Sequence, residues 1–422
     1  MQSPEPTFVN WSGVLCLFFL NLLWAPQAAA QVPFEPDQFL RAVLERHPSL
    51  RKADERVRSA EFGLKASGLQ PNPTLTLAAT AGDAGESSNG LTQAFEISGQ
   101  PRLRSEIAKA KYQAAKLERL AAQRRVGALA YRAWLELWKS DRLLEIALLR
   151  NQLMQETLRV ARRRFEVGEI SENESLRVEL AAAQASTNRI QAEGALLSAQ
   201  RTAALLLGPE AQQIPAGIIA WEPTSLLPEL DLEEVLAAAR WHPTVQAQSS
   251  LVEGTEYASE LIGKERAPIL SLSLYRSTLV RRDFVEQGAQ LSVTWPVFDW
   301  GNISHRKEQK QAQAEAHRAG IDEMVLQNCQ NLSQAWTQLE AFKKERDILT
   351  LQAQRYEELA REARVAYDVG LLNLTDVLQT ESSYREAGEQ LVTIKADILE
   401  LEIQVLELTG LAFPNDILKE GP

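Results

Sequence analysis

The chain has 422 residues, a formal net charge of −11 at pH 7 and only two cysteines, Cys16 and Cys329. Its excess of acidic side chains excludes a nucleic-acid binder that holds phosphates by bulk positive charge. Two cysteines also exclude a framework of several disulfides.

The first element in chain order is a predicted secretory signal peptide at residues 1–30. Residues 11–30 form an apolar run that ends in Ala28, Ala29 and Ala30, which fits the A-x-A pattern of a cleavage site before Gln31. Cleavage would remove Cys16 and leave Cys329 without an intramolecular partner. No later stretch approaches the roughly 20 apolar residues of a membrane helix. Any membrane-spanning part must then consist of strands.

The remainder of the chain is a tandem duplication. Glycines and tryptophans recur at an offset of 202 residues, as Gly99 and Gly301, Trp134 and Trp336, Gly168 and Gly370, and Gly208 and Gly410. Upstream, the His47-Pro48 pair recurs at His242-Pro243 with an offset of 195, so seven extra residues fall between Pro268 and Gly301. We therefore predict two structural repeats, 31–208 and 231–410, joined by a linker at 209–230 and followed by a tail at 411–422.

Each repeat is expected to begin with a short helical stretch and a β-hairpin. Helical periodicity covers 36–69 and 231–264, and apolar and hydroxyl side chains then alternate in hairpins at 73–97 and 268–298. Each strand has about the 9 to 11 residues of a tilted membrane strand. A small soluble sheet that caps a helical domain would give the same pattern.

Aromatic residues favour the membrane interpretation of these hairpins. Trp295, Phe298 and Trp300 cluster after the last strand, where the interface of a bilayer prefers aromatic side chains. Four strands are too few to close a barrel, since the smallest has eight, so closure requires several copies of the chain. A dimer would leave an interior filled by side chains, whereas a trimer of twelve strands would leave a lumen.

A long helix and a returning helix complete each repeat. Uninterrupted helical patterns cover 102–166 and 302–368, and at ~1.5 Å per residue each long helix is on the order of 100 Å in length. Shorter helices return at 171–207 and 373–409. The short and returning helices together match the long helix in length. The expected shape is a tube of antiparallel helices, with the strands at one end and the glycine joints at the other.

The two joints, FEVGEISENES and YDVGLLNLTDV, carry the same local signals. Gly168 and Gly370 provide the positive φ that ends a helix, and Ser171 and Asn373 stand where an N-cap begins the next one. An acid follows three residues later, as Glu174 and Asp376. A capping box at Ser171 and Glu174, with a variant at Asn373 and Asp376, would explain these acids structurally. A role at the narrow end of a tube is compatible with capping.

Several motifs together resemble the TolC family of outer-membrane efflux factors. WPVFDWGNISHRK at 295–307 is similar to the segment that leads from strand to long helix in that family, and FEISGQPRLR at 95–104 to its counterpart in the heavy-metal, CzcC-like branch. The resemblance implies a mainly α fold with a small β part. It also implies a homotrimer whose twelve strands form a barrel in outer-membrane lipid, continuous with a periplasmic α-helical barrel. Such a protein is a passive exit duct for an inner-membrane pump and its periplasmic adaptor, and not an enzyme.

The resemblance also assigns roles to residues at the joints. Tyr367 and Asp376 match positions that constrict the periplasmic aperture and make it cation-selective, and Glu174 would join them by symmetry. Gln379 and Leu372 depart from the family pattern of an acid and a base, which predicts a weaker latch. The residues expected to form the tip and contact the adaptor are Gly168, Ile170, Ser171, Gly370, Leu371, Leu372 and Asn373.

No metal site or cofactor is predicted. The four histidines lack ligand spacing, and only two methionines follow the signal peptide. Arginines 162–164 precede the first joint, where they would suit a helix C-terminus or contact an adaptor. Two other classes stay open on the sequence alone, a periplasmic coiled-coil scaffold and an envelope enzyme, although no catalytic constellation is recognisable.

Overall fold

The computed structural model describes residues 36–80, 86–208, 224–227, 230–279, 284–369 and 371–413. The predicted signal peptide, most of the predicted linker, Gly370 and most of the tail lie outside these ranges. The first repeat contains helices α1 (Pro36–Arg46), α2 (Pro48–Ser67), α3 (Gln100–Glu166) and α4 (Glu172–Leu207), with strands β1 (Thr74–Thr80) and β2 (Glu86–Glu96). The second contains α5 (Leu232–Ala239), α6 (Pro243–Gly263), β3 (Ile269–Leu279), β4 (Phe284–Thr294), α7 (Asn302–Asp368) and α8 (Leu374–Thr409).

The long helices agree with the sequence pattern to within two residues. Helices α3 and α7 have 67 residues each, and α4 and α8 have 36 each. Helix α3 begins at Gln100, two residues before the predicted start, because Pro101 is compatible with the first turn of a helix, where its missing N–H costs nothing. The N-caps Gly99 and Gly301 have φ values of 88° and 82°, a left-handed conformation that favours glycine.

The single short helix predicted in each repeat is wrong, because both are divided at the His-Pro pair. Proline lacks an N–H and disfavours a helical conformation in the residue before it, so α1 ends at Arg46 and α5 at Ala239, before the two His-Pro pairs. Each histidine then caps the next helix: its Nδ1 accepts a hydrogen bond from the backbone N–H of Ser49 or Thr244, both at 3.2 Å. The apolar periodicity that continues across the pair concealed the break.

Both ring nitrogens of His242 take part in hydrogen bonds. Protonation of the ring would break the bond to Thr244, so the second cap is sensitive to acid. Its Nδ1 accepts from Thr244, and its Nε2 lies 3.2 Å from the backbone carbonyl oxygen of Glu407 on α8, an arrangement that requires the neutral Nε2–H tautomer. Burial, together with the positive charge of Arg125, lowers the pKa of His242, although the Glu407 carbonyl opposes this shift.

Stability is therefore expected to fall as the pH decreases below about 6.5, the ordinary pKa of histidine, because the unfolded chain takes up the proton more readily than the folded one. The loss continues until the pH passes below the lowered pKa of the folded state. A His242→Asn variant keeps a capping side chain but cannot titrate. Urea unfolding between pH 5 and 8 should show a shallower pH dependence for this variant than for the wild type, and parallel curves would contradict the proposed role of His242.

The four strands form one antiparallel sheet in the order β1-β2-β3-β4. Strands β2 and β3 join the two repeats in a register that pairs Leu91 with Leu274 and Phe95 with Leu270. Strand β3 is four residues longer than β1, and the connection from β4 to α7 is four residues longer than the connection from β2 to α3. The β3–β4 connection is one residue shorter than the β1–β2 connection, which leaves the net difference of seven. In the described chain, β1 and β4 are the edge strands of this sheet.

One face of the sheet is apolar and exposed. Paired residues share a face, so leucines, Phe95 and Val293 lie on one side, and serines and threonines lie mainly on the other. The apolar side chains that remain exposed include Leu75, Leu77, Leu91, Leu272, Leu274, Leu291 and Val293. The predicted alternation is confirmed, and within the described residues this face stays open to solvent.

Helix packing places four helices side by side on the joint side of the molecule. Helix α3 packs against α4 and α8, and α8 packs against α7; towards the sheet, α2 and α6 pack against α3, and α6 also packs against α7. The main core lies where these layers meet and contains Phe39, Trp134 and Trp138. Leu332 and Leu339 are buried on α7, and Cys329 is half-buried beside them.

A buried acid holds the end of the linker against α8. The Glu402 side chain is 1% exposed, and its carboxylate accepts hydrogen bonds from the backbone N–H of Leu226 at 2.7 Å and the Ser225 hydroxyl at 2.9 Å. Lys343 Nζ lies 3.6 Å away and balances the charge. This glutamate was not predicted as a buried residue, because no local sequence signal marks an acid that occupies a core position among leucines and isoleucines.

Candidate functional site at the helix joints and the sheet

The first joint closes α3 with a Schellman motif. The backbone N–H of Glu169 donates to the Arg164 carbonyl at 2.8 Å, and that of Gly168 donates to Phe165 at 3.0 Å. Gly168 has a φ of 78°, as predicted for the residue that ends the helix. At the second joint, the N–H of Leu371 donates to Ala366 at 2.8 Å, which is the equivalent bond. Gly370 itself lies outside the described residues.

Both predicted N-caps are present, but the capping box at Ser171 is only half formed. Ser171 Oγ accepts from the N–H of Glu174 at 3.3 Å, and Asn373 Oδ1 accepts from the N–H of Asp376 at 2.9 Å. In the described structure, the carboxylate of Glu174 makes no return bond to Ser171. A complete box occurs instead at Asp231 and Glu234, which begin α5. The carboxylates at the joints are therefore not needed for the caps.

The two joints lie next to each other. Ala161, Val178 and Leu374 form a small buried cluster, against which Ile170 and Tyr367 pack. Because these residues come from α3, α4, α7, α8 and the first joint, both helical hairpins end at the same place. The guanidinium of Arg177 on α4 also lies 3.4 Å from the Thr375 hydroxyl on α8.

The side chain of Tyr367 packs against an arginine of the first repeat. Its half-buried ring lies under the guanidinium of Arg164, 4.6 Å from the ring centroid. Arg162 forms an ion pair with Glu179 at 3.2 Å. Two of the three arginines before the first joint thus have structural partners on neighbouring elements, which favours the structural explanation that the sequence left open for them.

The remaining side chains at the joints are open to solvent. Asp376 is exposed and Glu174 is half-buried, in the first turns of α8 and α4. Apolar side chains surround them: Leu371 is 81% exposed, and Val167 and Val369 occupy equivalent exposed positions. The two valines were not among the predicted joint residues, although both stand directly before the joint glycines. Leu372 is half-buried.

At the opposite end, the predicted aromatic cluster follows β4. Trp295, Phe298 and Trp300 are all exposed, and the rings of Phe298 and Trp300 meet edge to face at 4.6 Å. The Trp295 indole donates to the Arg266 carbonyl at 3.0 Å. Trp300 adopts a positive φ of 52°, which is rare for a non-glycine residue and turns the chain into α7.

The F-D-x-G segment next to these aromatics has a clear structural purpose. Asp299 accepts a hydrogen bond from the N–H of Ile303 at 3.0 Å and pairs with Arg266 at 3.2 Å, so it caps α7 and ties its start to the end of α6. The backbone bond from Ile303 is the main reason that the pKa of Asp299 is lowered. Two arginines at equivalent positions of the repeats form ion pairs near the starts of α3 and α7. Arg104 pairs with Glu96 at 2.6 Å, and Arg306 pairs with Glu265 at 2.5 Å.

Neither a metal centre nor a membrane helix is found in the part of the chain that the structure describes. Among these residues, no group of three His, Cys, Asp or Glu side chains is arranged to hold a metal ion. None of the described helices is sufficiently long and apolar to cross a membrane.

A duplicated chain with two pairs of long helices, adjacent glycine joints and a sheet with an exposed apolar face has the architecture of an outer-membrane channel subunit. The chain belongs to the family of outer membrane efflux proteins, whose model matches residues 39–209 and 234–411. It is accordingly an outer-membrane protein with a helical extension in the periplasm, and its family functions in export through a channel. This confirms the family suggested by the sequence motifs; assignment to the CzcC-like branch stays a prediction.

Solved structures of channels share this fold. CusC, described in its study as forming a transmembrane channel, has a TM-score of 0.76 at 15% identity, with 90% of this chain and 92% of CusC covered. The CmeC outer membrane channel of Campylobacter jejuni gives 0.72 at 16% identity, over 90% and 86% of the two chains. The open state of the MtrE channel of Neisseria gonorrhoeae gives 0.74 at 18%, over 89% and 88%. No curated protein matches the chain.

Proposed function

We propose that three copies of this chain form a closed tube, and that the tube is the exit duct of a tripartite efflux system. The observation that carries the proposal is the incomplete sheet: β1 and β4 each have a free edge, and one face is apolar and exposed. Unpaired edges and apolar strands are unfavourable in an isolated subunit. Pairing β4 of one copy with β1 of the next removes every edge, and three copies give twelve strands with a lumen.

The helices support the same closure. Helices α4 and α7 are the outer members of the four-helix layer, and both carry exposed apolar side chains that no described element of their own chain covers. The stripe on α4 contains Leu176, Leu180, Ile190 and Leu197, and that on α7 contains Ile348, Leu351 and Val365. Their separations of 4, 10 and 7 residues on α4 and of 3 and 14 residues on α7 fit a heptad repeat, so we place α4 of one copy against α7 of the next.

The joints then surround the narrow end of the tube. Three copies bring three Glu174 and three Asp376 carboxylates to one aperture, with Tyr367 packed behind them. The exposed apolar side chains of Val167, Val369 and Leu371 would contact a periplasmic adaptor, which would connect the duct to an inner-membrane pump. The same adaptor-contact surface would also include Gly168, Ile170, Ser171, Gly370, Leu372 and Asn373. Substrates would pass through without chemical change.

Conductance across a planar bilayer tests the aperture directly. The purified wild type is expected to give small, cation-selective steps, because six carboxylates at a constriction concentrate cations there. In a Glu174→Ala, Asp376→Ala double variant, the steps should grow and the preference for cations over anions should fall by about tenfold. The helix caps survive in this variant because Ser171 and Asn373 bind backbone N–H groups.

A matched control removes the same charge elsewhere on the helices. In a Glu193→Ala, Glu315→Ala double variant, both lost carboxylates are exposed and far from the joints in sequence, so conductance should equal that of the wild type. Equal selectivity in all three proteins would overturn the acidic aperture. Absence of any conductance would overturn the duct and leave a coiled-coil scaffold without channel activity.

A further inference from the structure

A cleft of about 700 Å³ lies between α3, α7 and α8, on the joint side of the molecule. Its lining extends to Arg364, near the end of α7. Helices α3 and α7 form its sides, and α8, which packs against both, forms its floor. A volume of this size is typical of sites for small organic ligands.

The walls of the cleft are partly apolar. Ile146, Leu149 and Leu153 come from α3, Ala353 comes from α7 and Leu391 from α8. Gly388 on the floor leaves space next to Ile146, since a Cβ added there would lie 3.7 Å from Ile146 Cδ1. A ring system or a short aliphatic chain could therefore replace water along these walls.

Two arginines facing the cleft have guanidinium donors that the described residues leave without a partner. Arg150 is half-buried and donates to the backbone carbonyl of Glu381 at 3.1 Å, and the described residues place no carboxylate within ion-pair distance of it. Burial is the main cause of the lowered pKa of Arg150, and the nearby Arg385 adds to it. Arg385 pairs with Glu389 through Nη1 at 3.0 Å and with Glu386 through Nη2 at 3.8 Å, but its Nε is buried and has no hydrogen-bond partner in the described structure.

The acids of the cleft are already engaged or open to water. The buried carboxylate of Glu381 is bound by Arg364, and Glu357 pairs with Arg361 at 3.3 Å. Glu156 is exposed to solvent. Burying a cation and a polar N–H without a partner is unfavourable, so an anion that reached Arg150 and Arg385 would satisfy both.

We infer that this cleft binds an amphipathic organic anion, with its sulfonate or carboxylate on Arg150 and Arg385 and its apolar body along the leucines of α3 and α8. Tyr384 also lines the cleft, on the side of Arg364 and Glu357. Because α3 and α7 lie on opposite sides of the site, a bound anion ties the two long helices together. This binding is independent of conduction through the proposed duct.

Calorimetric titration with 1-naphthalenesulfonate, using the full mature protein in an uncharged detergent, tests the site. The wild type should bind one molecule per chain and gain thermal stability at saturation. An Arg150→Gln, Arg385→Gln double variant should bind at least ~tenfold more weakly, because charge-assisted hydrogen bonds to the anion are lost. The neutral analogue 1-naphthylmethanol should likewise bind the wild type at least ~tenfold more weakly than the sulfonate.

Two further variants make the result decisive. Arg355→Gln removes an exposed arginine of α7 that pairs with Glu358, and it should bind like the wild type. Gly388→Leu fills the floor of the cleft without changing a charge, and it should weaken binding even if the arginine variant does not fold. Absence of saturable binding by the wild type, or equal affinity in the wild type and Gly388→Leu, would overturn the site. Neither result bears on conductance.

Discussion

Replacement of Gly410 by alanine is expected to reduce the free energy of unfolding by about 2–5 kcal/mol. Gly410 ends α8 with a φ of 69°, a left-handed conformation that costs other residues roughly 1–2 kcal/mol. A Cβ there would also lie 2.5 Å from Pro243 Cδ and 3.0 Å from His242 Cδ2. Relieving such a contact by shifts of the backbone costs about 1–3 kcal/mol more. Urea unfolding followed by circular dichroism measures the change.

Gly99→Ala is the matched control for this prediction. Gly99 has a φ of 88° and begins α3, but a Cβ at this position would meet no atom within 4 Å. The control should therefore lose only the conformational contribution, about 1–2 kcal/mol. Equal losses for the two variants would show that the contact of Gly410 with the His242-Pro243 pair contributes nothing to stability.

Replacement of Glu402 by alanine is expected to destabilise the protein by about 2–4 kcal/mol. The change removes the acceptor for the buried N–H of Leu226 and for the Ser225 hydroxyl, and an unsatisfied buried donor costs about 1–3 kcal/mol. Glu402→Gln retains one acceptor oxygen and the side-chain volume, so its loss should be about half as large. The same urea titration measures both variants.

Glu400→Ala provides the control for Glu402. Glu400 lies on the same helix and pairs with Arg132 at 2.7 Å, but its side chain is 45% exposed. Pairs of this kind contribute about 0–1 kcal/mol, because water and salt screen them. A loss in Glu402→Ala no larger than in Glu400→Ala would contradict the role assigned to the buried carboxylate.

Local signals allowed much of the architecture to be predicted. Apolar periodicity and the absence of proline gave the bounds of α3 and α7 to within two residues, since both act within a few turns of helix. Strand alternation placed both hairpins and identified the apolar face. The exception was the His-Pro division of the short helices, where an apolar pattern continued through a break that proline imposes.

The candidate site was predicted less completely. The sequence identified Glu174, Asp376 and their caps, but the cation on Tyr367 comes from Arg164, which belongs to the other repeat. The exposed Val167 and Val369 went unnoticed because no local pattern distinguishes a solvent-facing valine from a buried one. Arg150 and Arg385 were missed for a similar reason: their unused donors become evident only when the neighbouring helices are in place.

By itself, the sequence determined the duplication, the lengths of the helices, the glycine joints and the family, because each depends on residues that are close together in the chain or recur at a fixed offset. Only the tertiary structure decided how β2 pairs with β3 across the repeats, and that Glu402 holds Leu226, 176 residues away. Contacts over such separations depend on how whole helices pack. Periodicity indicates that a face is buried but not which side chain it meets.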